Sequence, residues 1–336
     1  MSAIEKHLSA SAHWFRQART RLTLIWSGAS LLLVCGWALA SRPAVPLVMQ
    51  LWIVAVGVGL FGVLHGGLDH IVGERVFKRV FKRGWLIYFA MGYVGLAIAV
   101  MIGWWLVAPI TLLLFLAVSI VHFGLRDGGR GLQKRNIWIQ FATVILLGAA
   151  PIIIPWIAFP QEVSVLFGWL AGTHAAAWQP PFHLGDSFGS MPRAAMVIVA
   201  VALALMLYFK SRRLLDTFAW LEFLATILLF WTLPPLLAFA WYFCLLHSLR
   251  HLLALAERLA PSREWSAVGW VVLRGLPLTI MTLVAAAVGY VWLRGFDLSE
   301  AESATKVIFW GLAALTFPHM LLTWWWEQRH ESLGQP

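Results

Sequence analysis

Residues 45–70 read VPLVMQLWIVAVGVGLFGVLHGGLDH, and this stretch decides the kind of fold to expect. Residues 45–64 carry no charged side chain, and a run of about 20 apolar residues is long enough to cross a bilayer as a helix. The run ends at His65, which a glycine pair, Asp69 and His70 follow. Ionisable side chains are costly at such a position, so they indicate a functional site.

The composition extends this interpretation to the whole chain. Of the 336 residues, 61% are hydrophobic and only 12% are charged, and the mean hydropathy is +0.79. Soluble domains are roughly 45–50% apolar and about 25% charged, so we predict an integral membrane protein. The net charge of +10 lies in short loops that set membrane topology, and no nucleic-acid partner is expected.

The apolar runs predict an all-α, polytopic membrane helix bundle with about ten transmembrane helices, and at least eight. Lys and Arg concentrate in alternate loops, so the positive-inside rule predicts that both termini are cytoplasmic. The predicted spans are 22–40, 47–66, 85–106, 110–125, 137–158, 193–209, 217–233, 236–256, 267–292 and 305–326. The predicted regions are 1–45, a tail plus an extra transmembrane helix; 46–326, the membrane-embedded catalytic bundle; and 327–336, a C-terminal tail.

Five histidines fall within predicted spans or at their ends, all in the cytoplasmic half of the membrane. A single histidine inside a span has about equal chances of packing between helices and of binding a ligand. Five histidines at one depth indicate a shared site. Imidazole binds Zn, Cu, Fe and Ni. A dry intramembrane pocket favours redox iron, at which a lipophilic substrate meets O₂, over hydrolysis at zinc. The five are His65, His122, His247, His251 and His319.

Acidic side chains near these histidines are candidates to orient them, because metal-bound histidines usually donate their second N–H to a carboxylate. Glu222 lies roughly 9 Å deep in the span 217–233, and it is the only acidic residue well inside a predicted span. Asp69 and Asp127 follow two of the histidines closely and have an alternative role as membrane-edge caps. His70 points about 140° away from its neighbouring histidine on a regular helix, which favours a supporting or edge position.

Four motifs resemble, in order and spacing, those of the Brp/Blh family of bacterial membrane β-carotene 15,15′-dioxygenases. They are HGGLDH (65–70), HFGLRD (122–127), HSLRH (247–251) and PHM (318–320), and the resemblance spans about 47–326. It implies an Fe(II) enzyme of the bacterial inner membrane that cleaves the central double bond of β-carotene with O₂ to give two molecules of retinal. It also implies a functional link to a retinal-binding rhodopsin.

The resemblance assigns the iron to His65, His122, His247 and His251, and it places His319 at or next to the metal. It does not cover the first 45 residues or the predicted loop 159–192. Membrane lipids and a carotenoid are the expected partners, and aromatic side chains are candidates to flank the polyene. These candidates are Phe123, Trp241, Tyr242, Phe243 and Trp324.

Two other functions use intramembrane histidines. A desaturase or hydroxylase of the histidine-cluster type usually carries adjacent histidine pairs, and this chain has no HH pair. A metal or proton transporter would continue its polar residues through the outer half of the spans. The spans here contain little there beyond Ser, Thr and Gln140, which favours a closed site over a path.

Overall fold

A computed structural model describes residues 3–127, 137–172, 217–259 and 264–332, and these ranges are helical with no strand among them. The predicted span 193–209 lies outside the described residues. The helices are α1 Ala3–Leu39, α2 Leu47–Gly57, α3 Val63–Gly66, α4 Asp69–Phe81, α5 Trp85–Asp127, α6 Ile137–Ala158, α7 Pro160–Leu170, α8 Thr217–Thr232, α9 Pro235–Tyr242, α10 Leu249–Leu259, α11 Glu264–Arg294 and α12 Glu300–Ser332. A π-helical turn, Val58–Gly62, joins α2 to α3, and a second one, Phe243–Ser248, joins α9 to α10.

The described residues contain six helical segments that are long and apolar enough to cross a membrane. One of them, Leu47–Asp127, has 81 residues and includes three predicted spans. Ala219–Thr232 is a further, shorter apolar helix, and it coincides with the predicted span 217–233. The prediction of an all-helical polytopic membrane protein is therefore confirmed.

The helix α5 folds back on itself near Val107, where the backbone leaves the helical region (φ −142°, ψ 49°) shortly before Pro109. A Cβ atom added at Gly103 would lie 2.9 Å from the Thr111 Oγ1 atom. Residues eight apart in a straight helix are about 12 Å apart, so the chain reverses direction here. The reversal lies between the predicted spans 85–106 and 110–125.

Two segments that were predicted as loops contain helices in the structure. The basic segment after the second span forms α4, whose buried Val72 and Val76 share one face because they lie four residues apart. A Cβ atom added at Gly73 would lie 2.5 Å from the Phe89 ring, so α4 packs closely on α5. The predicted loop 159–192 begins as α7, and its remainder after 172 lies outside the described residues.

Glycines allow α5 and α6 to cross at close range. A Cβ atom added at Gly124 would lie 2.0 Å from the Val144 carbonyl oxygen, and one added at Gly148 would lie 1.8 Å from the Ile120 carbonyl oxygen. Small residues at such crossings let membrane helices pack backbone against backbone. This crossing fixes the end of α5 that carries the second histidine motif.

Candidate functional site

The five histidines of the predicted site meet in one buried cluster. Each is 7% exposed or less, and the centroids of neighbouring rings lie between 4.9 Å and 6.1 Å apart. The rings come from separate parts of the chain: α3, the end of α5, the second π-helical turn, α10 and α12. The structure thus brings His65, His122, His247, His251 and His319 together.

The two π-helical turns pack against each other beside the cluster. A Cβ atom added at Gly62 would lie 2.6 Å from the Phe243 ring, so the glycine allows this approach. A π turn is wider than an α turn, and residues four apart in it point in nearly the same direction. The Phe243 ring accordingly stacks on the His247 ring at 5.6 Å with an interplanar angle of 14°. Single π turns are frequent at functional sites.

Several ring nitrogens in the cluster have no hydrogen-bond partner among the described residues. The buried atoms without a partner include both nitrogens of His251, the His247 Nδ1 atom and the His319 Nε2 atom. The His122 Nε2 and His247 Nε2 atoms lie 3.1 Å apart. Because buried polar atoms are rarely left without a partner, these nitrogens point to a group that the protein atoms themselves do not supply.

Asp69 belongs to the cluster through His319. Its carboxylate lies 2.8 Å and 2.9 Å from the His319 Nδ1 atom, and it accepts a hydrogen bond of 2.7 Å from the Tyr93 hydroxyl. A proton held on Nδ1 by the carboxylate leaves the His319 Nε2 atom as a free lone pair. Sequence analysis missed Tyr93, although its hydroxyl inside an apolar span was a signal.

Glu222 and Asp127 bind Arg250, a member of the HSLRH motif. The Arg250 Nη1 atom donates to Glu222 Oε1 at 2.9 Å and to Asp127 Oδ1 at 3.2 Å, and Nη2 donates to Glu222 Oε2. The Tyr242 hydroxyl donates to Asp127 at 2.6 Å, and Thr23 contacts both Glu222 and Arg250 at 3.0 Å. We call these five residues the arginine cluster. Sequence analysis missed Arg250 and Thr23.

His70 lies at the edge of the site. It is half-buried, and its Nδ1 atom lies 2.9 Å from the Gly67 carbonyl oxygen. That glycine is itself needed, because a Cβ atom there would lie 2.5 Å from the Gly275 carbonyl oxygen of α11. His70 therefore lies just after a tight crossing of two helices and is not part of the histidine cluster.

An apolar cavity opens directly onto the histidines, and the space free of protein atoms, counted out through its open mouth, is about 1250 Å³. Three cluster histidines, His65, His122 and His319, form part of its wall. The other polar side chains that line it are Tyr93, Ser119 and Thr316, and the remaining lining residues are apolar. Polar groups are thus confined to few positions, as expected of a pocket for an apolar molecule.

The five predicted polyene-flanking aromatics divide into two groups. Phe123 and Phe243 line the cavity. Trp241 donates a hydrogen bond to α1, and Tyr242 donates to the arginine cluster. Trp324 is 59% exposed on the outer surface.

Phe239, which sequence analysis missed, stacks on Phe243 at 5.1 Å with an interplanar angle of 10°. Phe243 in turn stacks on His247. The three rings therefore form a continuous aromatic stack that leads to the histidine cluster.

Together these features define a polytopic helical membrane protein with a buried histidine site at the end of an apolar cavity. A family model described as Beta-carotene 15,15′-dioxygenase matches residues 56–327. The chain belongs to this family, which confirms the resemblance seen in its motifs.

Two relatives carry the same description. The chain is 28% identical over 276 residues to the Beta-carotene 15,15′-dioxygenase of uncultured marine bacterium 66A03, covering 81% of this chain and 92% of the relative. It is 27% identical over 343 residues to the Probable beta-carotene 15,15′-dioxygenase Blh of Halobacterium salinarum, covering 93% and 95%. No solved structure matches the chain at a significant level.

Proposed function

We propose that this chain cleaves the central 15,15′ double bond of β-carotene with O₂ and releases two molecules of retinal. The observation that carries the proposal is the cluster of five buried histidines at the end of an apolar cavity, in a chain of this family. We propose Fe(II) as its cofactor. Bound there, Fe(II) would supply the redox chemistry that O₂ requires.

The histidine cluster fits a metal ion by spacing and by chemistry. In the described part of the chain, no three His, Cys, Asp or Glu side chains stand in a ready-made metal-binding arrangement. With metal–nitrogen bonds of about 2.1 Å, however, ring centroids lie roughly 3 Å from the ion and about 4.5–6 Å from one another. The observed spacings of 4.9–6.1 Å fall close to that range, so the ring positions are compatible with one shared ion.

We propose that His65, His122, His247, His251 and His319 hold the iron. Buried nitrogens without a partner on His65, His247, His251 and His319 support four of the five, and the His122 Nε2 atom lies 3.1 Å from the His247 Nε2 atom. His319 is included because its Nδ1 atom is bound to a carboxylate while its Nε2 atom is free and buried, which is the usual state of a metal-bound histidine.

The proposed reaction requires little acid–base catalysis by the protein. One C=C bond breaks, two C=O bonds form, and each oxygen atom of O₂ ends in one aldehyde. The carbon–carbon double bond supplies all four electrons, so neither an external reductant nor a net proton transfer is needed. The cavity wall matches this requirement, because it is apolar beyond a few hydroxyls and imidazoles.

The protein's part is to position a rigid polyene and to exclude water. Phe239 and Phe243 line the cavity, so conjugated double bonds can lie against the aromatic stack that these two rings form with His247. Because three cluster histidines line the same cavity, a polyene bound in it would lie next to the proposed iron. Holding the reacting bond there contributes through proximity and orientation.

We further propose that the protein lies in the bacterial inner membrane with ten spans and both termini in the cytoplasm. The alternation of basic loops supports this topology. Carotenoid would enter from the surrounding lipid, and retinal would leave into it and serve a retinal-binding rhodopsin.

The proposal is tested by expressing the chain in bacteria that make β-carotene. We expect the cells to lose colour and to accumulate retinal, because substrate and O₂ are both present. The matched control is His247→Ala, which should insert in the membrane yet leave the β-carotene intact. Persistence of β-carotene with folded, iron-loaded wild-type protein would show that the substrate is wrong.

A further inference from the structure

The helix α1 ends before the residues that the family model matches, yet it touches the segment that carries two cluster histidines. We infer that Thr23 of α1 is a positioning residue for the proposed metal site and acts through Arg250. This inference rests on the proposed function, because it assumes that His247 and His251 bind the metal.

Thr23 joins both partners of an ion pair whose side chains are 16% exposed (Arg250) and 8% exposed (Glu222). Its hydroxyl donates to the Glu222 Oε2 atom at 3.0 Å and accepts from the Arg250 Nη2 atom at 3.0 Å. Thr23 itself is 8% exposed. A guanidinium and a carboxylate that are largely removed from water depend on the hydrogen bonds that the protein provides, because little water is present to replace a lost one. The hydroxyl therefore fixes where the ion pair sits.

The position of this ion pair bears directly on the histidines. Arg250 lies three residues after His247 and immediately before His251, on the same continuous helical segment. Its guanidinium also donates to Asp127, which follows His122 on α5. The arginine cluster thus ties together two segments that carry cluster histidines and anchors both to α1.

A polar stripe on α1 continues this anchoring in both directions. Arg19 pairs with Glu257 of α10 at 2.6 Å. Trp26 donates from Nε1 to the Trp241 carbonyl oxygen at 3.2 Å, and Trp241 donates from its own Nε1 atom to the Ser30 hydroxyl at 2.9 Å.

These contacts come from a single helix face. Arg19, Thr23, Trp26 and Ser30 are spaced by four, three and four residues, which places them in one row along α1. The row follows the other chain segment from Trp241 through Arg250 to Glu257. Thr23 is the position in this row whose side chain forms hydrogen bonds with the arginine cluster, whereas the Trp26 ring only packs edge to face on Tyr242 at 6.4 Å between centroids. We therefore assign the effect of α1 on the histidines to Thr23.

The test replaces the Thr23 hydroxyl by a methyl group of the same size. Full-length Thr23→Val, purified in detergent, should bind Fe(II) about threefold to tenfold more weakly than wild type, less than the roughly 10–100-fold loss usual for a direct partner of a ligand. The absorption bands of the Co(II)-substituted protein should also shift, because the ring orientations change. Thr23→Ser keeps the hydroxyl and should restore both properties.

The matched control is Thr20→Val on the same helix. Among the described residues, the Thr20 hydroxyl donates to the Arg16 carbonyl oxygen of α1 itself and to no group of the site, so its loss should leave iron affinity and the cobalt spectrum unchanged. The inference is overturned if Thr23→Val keeps wild-type affinity and spectrum, or if Thr20→Val loses as much as Thr23→Val. A folded wild-type protein that binds neither metal would instead overturn the proposed metal site, and this inference with it.

Discussion

At the scale of single residues, the sequence predicted which histidines gather but not which acid serves which ring. Asp69 lies one turn beyond His65 in sequence, which predicted a partnership between them. In the structure α3 ends at Gly66 and a new helix begins at Asp69, and the carboxylate faces His319 on α12. A helix break of two residues changes the direction of the Asp69 side chain, and the periodicity of the sequence does not predict such a break.

The Asp69 carboxylate should control the proposed ligand His319. We expect Asp69→Asn to keep the fold but to lower iron affinity or retinal formation by about 10–100-fold, the usual cost of losing such a partner. Iron content after dialysis measures this effect directly. Tyr93→Phe removes only one hydrogen bond to the same carboxylate and should have a smaller effect, whereas full iron content in Asp69→Asn would refute the assignment.

The Glu222 carboxylate should stabilise the fold as well as the site. Glu222→Gln leaves the buried Arg250 with a weaker partner, so we expect a loss of about 3 kcal/mol in unfolding free energy and lower activity, without loss of membrane insertion. Thermal unfolding in detergent measures the loss. Glu74→Gln, which breaks an exposed pair with Lys78, is the control and should change stability by less than about 1 kcal/mol.

At the scale of elements, runs of apolar residues predicted most spans in the described part of the chain. The gap between the predicted spans 85–106 and 110–125 coincides with the reversal near Val107 and Pro109. The π-helical turns were not predictable, because a single wide turn leaves no pattern in composition. The helix α4 was missed for a different reason: its basic residues favoured a loop, although Val72 and Val76 have helical spacing and are buried.

The crossing of α5 and α6 should tolerate no side chain at its glycines. We expect Gly148→Ala to destabilise the protein by about 1–3 kcal/mol, because its Cβ atom would overlap the Ile120 carbonyl oxygen. The shift should also lower iron affinity, since Ile120 lies close to His122. Gly92→Ala is the control, as nothing lies within 4 Å of its Cβ position; equal melting temperatures for the two variants would contradict the close crossing.

At the scale of the whole molecule, the alternation of basic loops placed all five histidines at one depth, and the structure brings them together. The cavity wall could not be predicted in the same way. Aromatic residues lie on lipid-facing and inward-facing sides of the same spans, so composition does not separate Phe243, which lines the cavity, from Trp324, which is exposed. In a lipid-embedded bundle, packing and not polarity determines whether an aromatic side chain points inward or outward.

The identity of the metal is open to a direct exchange experiment. Removal of the metal with a chelator should abolish retinal formation, because the imidazole, hydroxyl and apolar side chains that line the cavity do not by themselves activate O₂. Adding Fe(II) should restore the activity and adding Zn²⁺ should not, since zinc has no redox chemistry. Recovery with zinc would contradict a redox role for the metal.

The most direct test of the central claim is the stoichiometry of the purified, iron-loaded protein supplied with β-carotene and O₂. The histidine cluster and its apolar cavity predict one O₂ consumed and two molecules of retinal formed for each β-carotene lost, and none with folded His247→Ala. Unchanged β-carotene, a product of other chain length, or an undiminished rate in His247→Ala would contradict it.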